Sequence, residues 1–116
     1  MKKIRSSRNK TIDTTIAQGG EYLARCVSVN TAQAIEAVVD KTIIGDTFTV
    51  MPLLPHKSVD LVIADPPYNL TKAFNGTTFS KKTVADYEEY TRQWLSLVYP
   101  LLKDDGSIYV CCDWET

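Results

Sequence analysis

Hydrophobic and polar positions divide the chain into an early helical stretch, three short apolar runs and one long amphipathic segment. Leu61 to Ala64 is apolar, rich in β-branched residues and too short for a helix, so it reads as a buried strand that stops at Asp65. Lys41 to Gly45 reads as another strand, ending in Asp46, with a helix over Thr47 to Leu54 that Pro52 and Pro55 shorten. Val84 to Leu102 is the clearest helix: Val84, Tyr87, Trp94, Leu95, Val98, Leu101 and Leu102 share one stripe, and its aromatics are expected in the core. Asp86, Glu88 and Glu89 suit its first turn, Pro100 loosens its last turn, and Gly106 marks the stop. Ser107 to Cys112 then reads as a buried strand parallel to Leu61 to Ala64, joined to it by a right-handed helical crossover, with Asp113 and Trp114 at its ligand-facing end. Thr14 to Val39 looks mostly helical, in two pieces broken near Gly19-Gly20, and Thr71 to Thr83 lacks periodicity and reads as a loop.

Composition narrows the class without announcing a partner. With 116 residues, 44% hydrophobic, the chain fits one small domain. A net charge of −1 and a pI near 5.7 mean that any nucleic-acid surface is local. One such patch is the arm formed by Lys2, Lys3, Arg5, Arg8 and Lys10, either a phosphate contact or a solvated terminus. No stretch approaches the roughly 18 apolar residues of a membrane span, and no apolar signal region follows the basic start, so the expected compartment is the cytoplasm. Cys26, Cys111 and Cys112 are odd in number and badly spaced for metal, and read as reduced thiols; lone His56 reads as exposed.

Candidate chemistry concentrates in Asp65-Pro66-Pro67-Tyr68-Asn69. Two consecutive prolines fix φ, remove donors and push the preceding residue towards an extended conformation, so Asp65 is held where the strand runs out. Its carboxylate and the Pro66 carbonyl are acceptors, and Tyr68 offers a flat ring with a polar tip. Such a corner suits a planar base carrying an exocyclic amine. Two acceptors gripping the two amine hydrogens turn its nitrogen towards sp³ and aim the lone pair at an electrophile, while the ring stacks on the base.

Asp65-Pro66-Pro67-Tyr68-Asn69 resembles motif IV of the amino-methylating DNA methyltransferases, which modify adenine N6 or cytosine N4. Ile43-Ile44-Gly45-Asp46, Lys57-Ser58-Val59-Asp60 and Leu101-Leu102-Lys103-Asp104-Asp105-Gly106-Ser107 are similar to text around that motif, and the resemblance covers roughly residues 41 to 114. It implies an α/β, partial doubly wound (Rossmann-like) methyltransferase sheet over 41–116, preceded by a basic arm and helical extension over 1–40. It also implies that Asp65, Pro66 and Tyr68 are catalytic and that Asp65 and Asp46 bind the donor S-adenosylmethionine, although Asp46 equally suits a helix N-cap. Pro67, Asn69, Lys72, Phe74, Lys81 and Lys82 are the expected substrate contacts, the last four because basic and aromatic residues interleaved in a loop can follow a nucleic-acid backbone. Aspartate in first place points to adenine, with cytosine-N4 or RNA methylation, or a noncatalytic nucleic-acid-binding remnant, as alternatives. The glycine-rich donor loop of the family is absent from these residues. The chain is therefore expected to be the amino-terminal catalytic portion of a longer or split enzyme, inactive alone, whose partners are DNA and the remaining carboxyl-terminal portion.

Overall fold

A computed structural model describes residues 14–74 and 77–113. The basic arm, Asn75, Gly76 and Trp114 lie outside the described residues, as do the side chains of Lys72, Phe74 and Thr77. The elements in order are α1 (Ile16–Leu23), α2 (Ile35–Val38), α3 (Thr47–Val50), β1 (Val59–Ala64), β2 (Lys72–Phe74), β3 (Thr77–Phe79), α4 (Val84–Val98) and β4 (Leu102–Val110). Short 3₁₀ turns extend α3 through Met51–Leu53 and α4 through Tyr99–Leu101. Each contains a proline, Pro52 or Pro100, that cannot donate to an α-helical ladder.

The central unit is the parallel pair β1 and β4, crossed by α4. From Leu61↔Ser107 to Ala64↔Val110 the register is regular, and the Cys111 N–H continues the ladder to the Ala64 carbonyl at 2.8 Å. Upstream, Val59 pairs with Leu102, so Lys103 to Gly106 bulge between the two regular stretches. Gly106 suits this position because a Cβ would crowd the Val59 carbonyl oxygen at 3.0 Å and the Lys103 carbonyl oxygen at 3.1 Å.

Packing is one-sided. Met51, Trp94, Val98 and Leu101 form the buried cluster, with Phe48, Val62, Ala64, Tyr90 and Ile108 against it. The opposite face of the sheet is open: Ile63 is 71% exposed, Tyr109 67% and Leu61 50%. Both strands were expected to be buried on two faces, and only the α4 side is covered.

Other differences have local causes. Helix α1 runs through Gly19-Gly20 without a break, held by a capping box in which Thr15 accepts from the Gln18 N–H and the Gln18 side chain accepts from the Thr15 N–H. The second helical piece shrinks to the four residues of α2, after an extended stretch in which Val27 bridges Ile43 in parallel. That bridge is all that forms of the strand expected at Lys41 to Gly45. Thr71 to Thr83 folds into an antiparallel hairpin, β2 with β3, where a loop was expected. Its short strands lack enough residues to declare a period. Among the described residues no helix is long and apolar enough to cross a membrane.

Candidate functional site

Strand β1 ends at Ala64, and the next residues turn at the carboxyl edge of the parallel sheet. Asp65 is exposed there, while Pro66 and Tyr68 are half-buried. The corner is tied from three directions. The Tyr68 hydroxyl donates to Asp65 Oδ1 at 3.0 Å. The Tyr87 hydroxyl of α4 donates to the Pro67 carbonyl at 3.0 Å. Asn69, only 6% exposed, accepts from the Lys82 N–H at 2.7 Å through Oδ1 and donates to the Lys82 carbonyl at 3.0 Å through Nδ2. The Pro66 carbonyl takes no hydrogen bond from the described residues, so it and the Asp65 carboxylate remain the two acceptors at the corner.

Beside the corner lies a cavity of about 470 Å³ that brings the two candidate acids together. Asp65, Pro66 and Pro67 form one rim, Asp46 and Thr47 another, and Phe48, Tyr90 and Trp94 supply aromatic walls. Tyr68 is outside this lining, so Asp65 borders the cavity while also holding the Tyr68 hydroxyl. Asp46 is the N-cap of α3: its Oδ1 accepts from the Phe48 N–H at 2.8 Å and the Thr49 N–H at 3.3 Å, and Oδ2 makes no hydrogen bond among the described residues. Trp94 Nε1 is buried and has no hydrogen-bond partner among the described residues, an uncommon state for an indole donor.

Two phenols here are held in their neutral form. The bond to Asp65, with burial second, raises the pKa of Tyr68 above the ordinary value, so it stays a donor. Burial, then Tyr87 and Asp46, raises that of Tyr90. Rings link the cavity to the hairpin: Tyr90 stands 5.9 Å from Phe48, 5.9 Å from Tyr87 and 6.1 Å from Phe79, all tilted.

The expected substrate contacts divide. Pro67 is on the cavity rim, but its carbonyl is taken by Tyr87. Asn69 is turned onto the hairpin backbone and away from open space. Lys81 and Lys82 follow β3 and are exposed, with Lys82 Nζ 6.0 Å from the centre of the Phe79 ring. Lys72 and Phe74 are on β2, and their side chains lie outside the described residues. Sequence reasoning missed Tyr87 and the cavity walls Phe48, Tyr90 and Trp94. Tyr87, Tyr90 and Trp94 recur at helical spacing on α4, and such a stripe describes a core face and a cavity wall equally well.

A family described as DNA methylase, of the N6/N4 methyltransferase kind, matches residues 59–116, half of the chain. The type II methyltransferase M.HpaI of Haemophilus parainfluenzae is 37% identical over 70 residues, covering 60% of this chain and 22% of that protein. The type II methyltransferase M.MjaVI of Methanocaldococcus jannaschii is 39% identical over 70 residues, covering 58% of this chain and 34% of the relative. The DNA adenine methyltransferase YhdJ of Escherichia coli is 40% identical over 75 residues, covering 60% and 24%. The chain thus spans about a third or less of the length of these relatives.

Proposed function

This chain belongs to the N6/N4 DNA methylase family, and on that premise we propose that it is the catalytic portion of a DNA methyltransferase that moves a methyl group from S-adenosylmethionine to adenine N6. The observation that carries the proposal is a corner where the Asp65 carboxylate, with Oδ1 on the Tyr68 hydroxyl and Oδ2 taking no hydrogen bond from the described residues, stands with the Pro66 carbonyl beside the cavity shared with Asp46. Aspartate at the head of the motif and the similarity to a DNA adenine methyltransferase favour adenine over cytosine.

The cavity fits the donor by size and by chemistry. A space of about 470 Å³ with three aromatic walls suits an adenosyl group, and the unengaged Oδ2 of Asp46 suits an amine or hydroxyl hydrogen. When bound, the donor supplies an electrophilic methyl group on a sulfonium. Asp65 and the Pro66 carbonyl accept the two hydrogens of the target amine and direct its lone pair, and the Tyr68 ring stacks on a base drawn out of the duplex. Transfer to that nitrogen would leave one amine proton to be lost, and Asp65, already at the amine, would take it or pass it to solvent. The protein's contribution is orientation and electrostatics more than acid-base power.

The uncovered face formed by Leu61, Ile63 and Tyr109 supports a further part of the proposal: another portion of the enzyme covers it, and the described residues alone are inactive. Nucleoside mass spectrometry on DNA from cells carrying the whole reading frame tests the target. N6-methyladenine above the background of an empty host is expected; N4-methylcytosine, methylated RNA nucleosides or no new nucleoside overturns the assignment.

A further inference from the structure

Asn69 was expected to touch substrate, yet both ends of its amide are spent on the backbone of one residue thirteen positions away. Its Oδ1 and Nδ2 pair with the N–H and carbonyl of Lys82 as a neighbouring strand residue would, and the Lys81 N–H adds a bond to Thr71 Oγ1 at 3.1 Å. One side chain therefore closes the base of the β2–β3 hairpin directly against the corner. The side chain is buried, so the contact is shielded from water that would compete for it. Asp65, four residues before it, and Lys82, across from it, are both exposed.

We propose that Asn69 is a positioning residue that locks the β2–β3 hairpin onto the corner, and that the locked hairpin holds the phosphate backbone next to the target base through Lys81 and Lys82. This rests on the DNA-modifying role proposed above and assigns the hairpin its part in it. Among the described residues the other contact of the hairpin is the Phe79–Tyr90 ring pair, which joins it to α4 and not to the corner, so without the amide bonds the two lysines are no longer held beside Asp65. A phosphate contact made by a wandering side chain carries the entropy of ordering it.

A double-mutant cycle on duplex DNA affinity tests this, using the whole enzyme, fluorescence anisotropy at low salt and no methyl donor. Asn69→Ala and the pair Lys81→Met with Lys82→Met are each expected to weaken binding about tenfold, the scale of one net charge-assisted contact. Combined, they are expected to lose no more than about threefold beyond either alone, because a lysine on an unlocked hairpin has nothing left to lose. Losses that multiply, or an Asn69→Ala affinity equal to the parent's, overturn the proposal. Should Asn69→Ala fail to fold, Asn69→Leu replaces it in the cycle, since it keeps the buried bulk and removes both bonds to the Lys82 backbone. An enzyme that shows this coupling and methylates nothing contradicts the proposed activity and leaves the hairpin lock standing, whereas methylation with multiplying losses does the reverse.

Discussion

Tyr68 and Asp65 are hydrogen-bonded to each other, hydroxyl to carboxylate at 3.0 Å, so the ring and the acid of one corner are fixed relative to one another by the protein itself. The bond favours the neutral phenol, which raises its pKa above 10.0. For a group with a raised folded pKa the stabilising contribution is complete below the unfolded value and is lost as pH climbs through the folded one. Ultraviolet titration is expected to show a tyrosine ionising above the ordinary range that returns towards it in Asp65→Asn. An unchanged titration in that variant means the bond does not persist in solution.

Tyr68→Phe keeps the stacking face and loses the hydroxyl. It is expected to lower kcat/KM by about tenfold or less, while Tyr68→Ala, losing the ring as well, costs a further tenfold or more on the scale of base–aromatic stacking. Steady-state kinetics on the whole enzyme measures both, and equal losses would remove stacking from the account.

Asp46 caps α3 with one oxygen and lines the cavity beside Asp65, where the proposed function puts the methyl donor. Asp46→Ala is expected to cost about 1 kcal/mol of stability through the lost cap. Asp46→Ser retains a cap acceptor, so its melting temperature stays near the parent's while calorimetry shows weaker binding of S-adenosylmethionine. Unchanged donor affinity in Asp46→Ser would leave Asp46 a cap and nothing more.

Trp94 is 6% exposed and its indole nitrogen has no partner among the described residues, so its packing stabilises and its N–H does not. Trp94→Phe is expected to stay within about 1.5 kcal/mol of the parent because the lost volume is partly offset by removing an unsatisfied donor. Trp94→Ala should cost about 3–5 kcal/mol. Urea denaturation separates the two; similar losses would mean that the indole nitrogen is hydrogen-bonded after all.

At the amino end of the sheet Lys57 pairs with Asp104, and Lys103 pairs with Asp60 at 2.6 Å. Both lysine pKa values are raised above 10.5, first by the hydrogen bond to the partner carboxylate. Their contribution is present below 10.5 and lost as pH rises through the folded values. The groups are exposed, so a small melting-temperature difference between parent and Lys103→Met is expected at neutral pH and low salt, disappearing in high salt or strong alkali. A difference indifferent to salt would point to packing by the lysine stem.

The readable parts of this chain were those where local chemistry and tertiary contact agree. Two prolines after a β-branched run place Asp65 at the sheet edge whatever packs around it, and Pro100 ends α4 by its missing donor. The parallel pairing of that run with Ser107 onward follows from the helical crossover that joins the two strands. Gly19-Gly20 misled because a capping box at Thr15 and Gln18 offsets the propensity cost of two glycines. The hairpin was invisible because the contacts that anchor it, Asn69 to Lys82, Thr71 to Lys81 and Phe79 to Tyr90, are side-chain contacts between separated residues with no periodic signature. Asp46 had two readings from sequence, cap or donor contact; the structure makes it a cap that also lines the cavity.

The central claim is that Asp65 grips the target amine, and one paired measurement tests it most directly: methyl transfer to DNA and S-adenosylmethionine binding, both on Asp65→Ala in the whole enzyme. Transfer reduced by at least about a thousandfold, with donor affinity within about threefold of the parent, is the predicted result for removing an orienting group at the reacting nitrogen. Methylation at a rate near the parent's, or a loss traced wholly to donor binding, would contradict it.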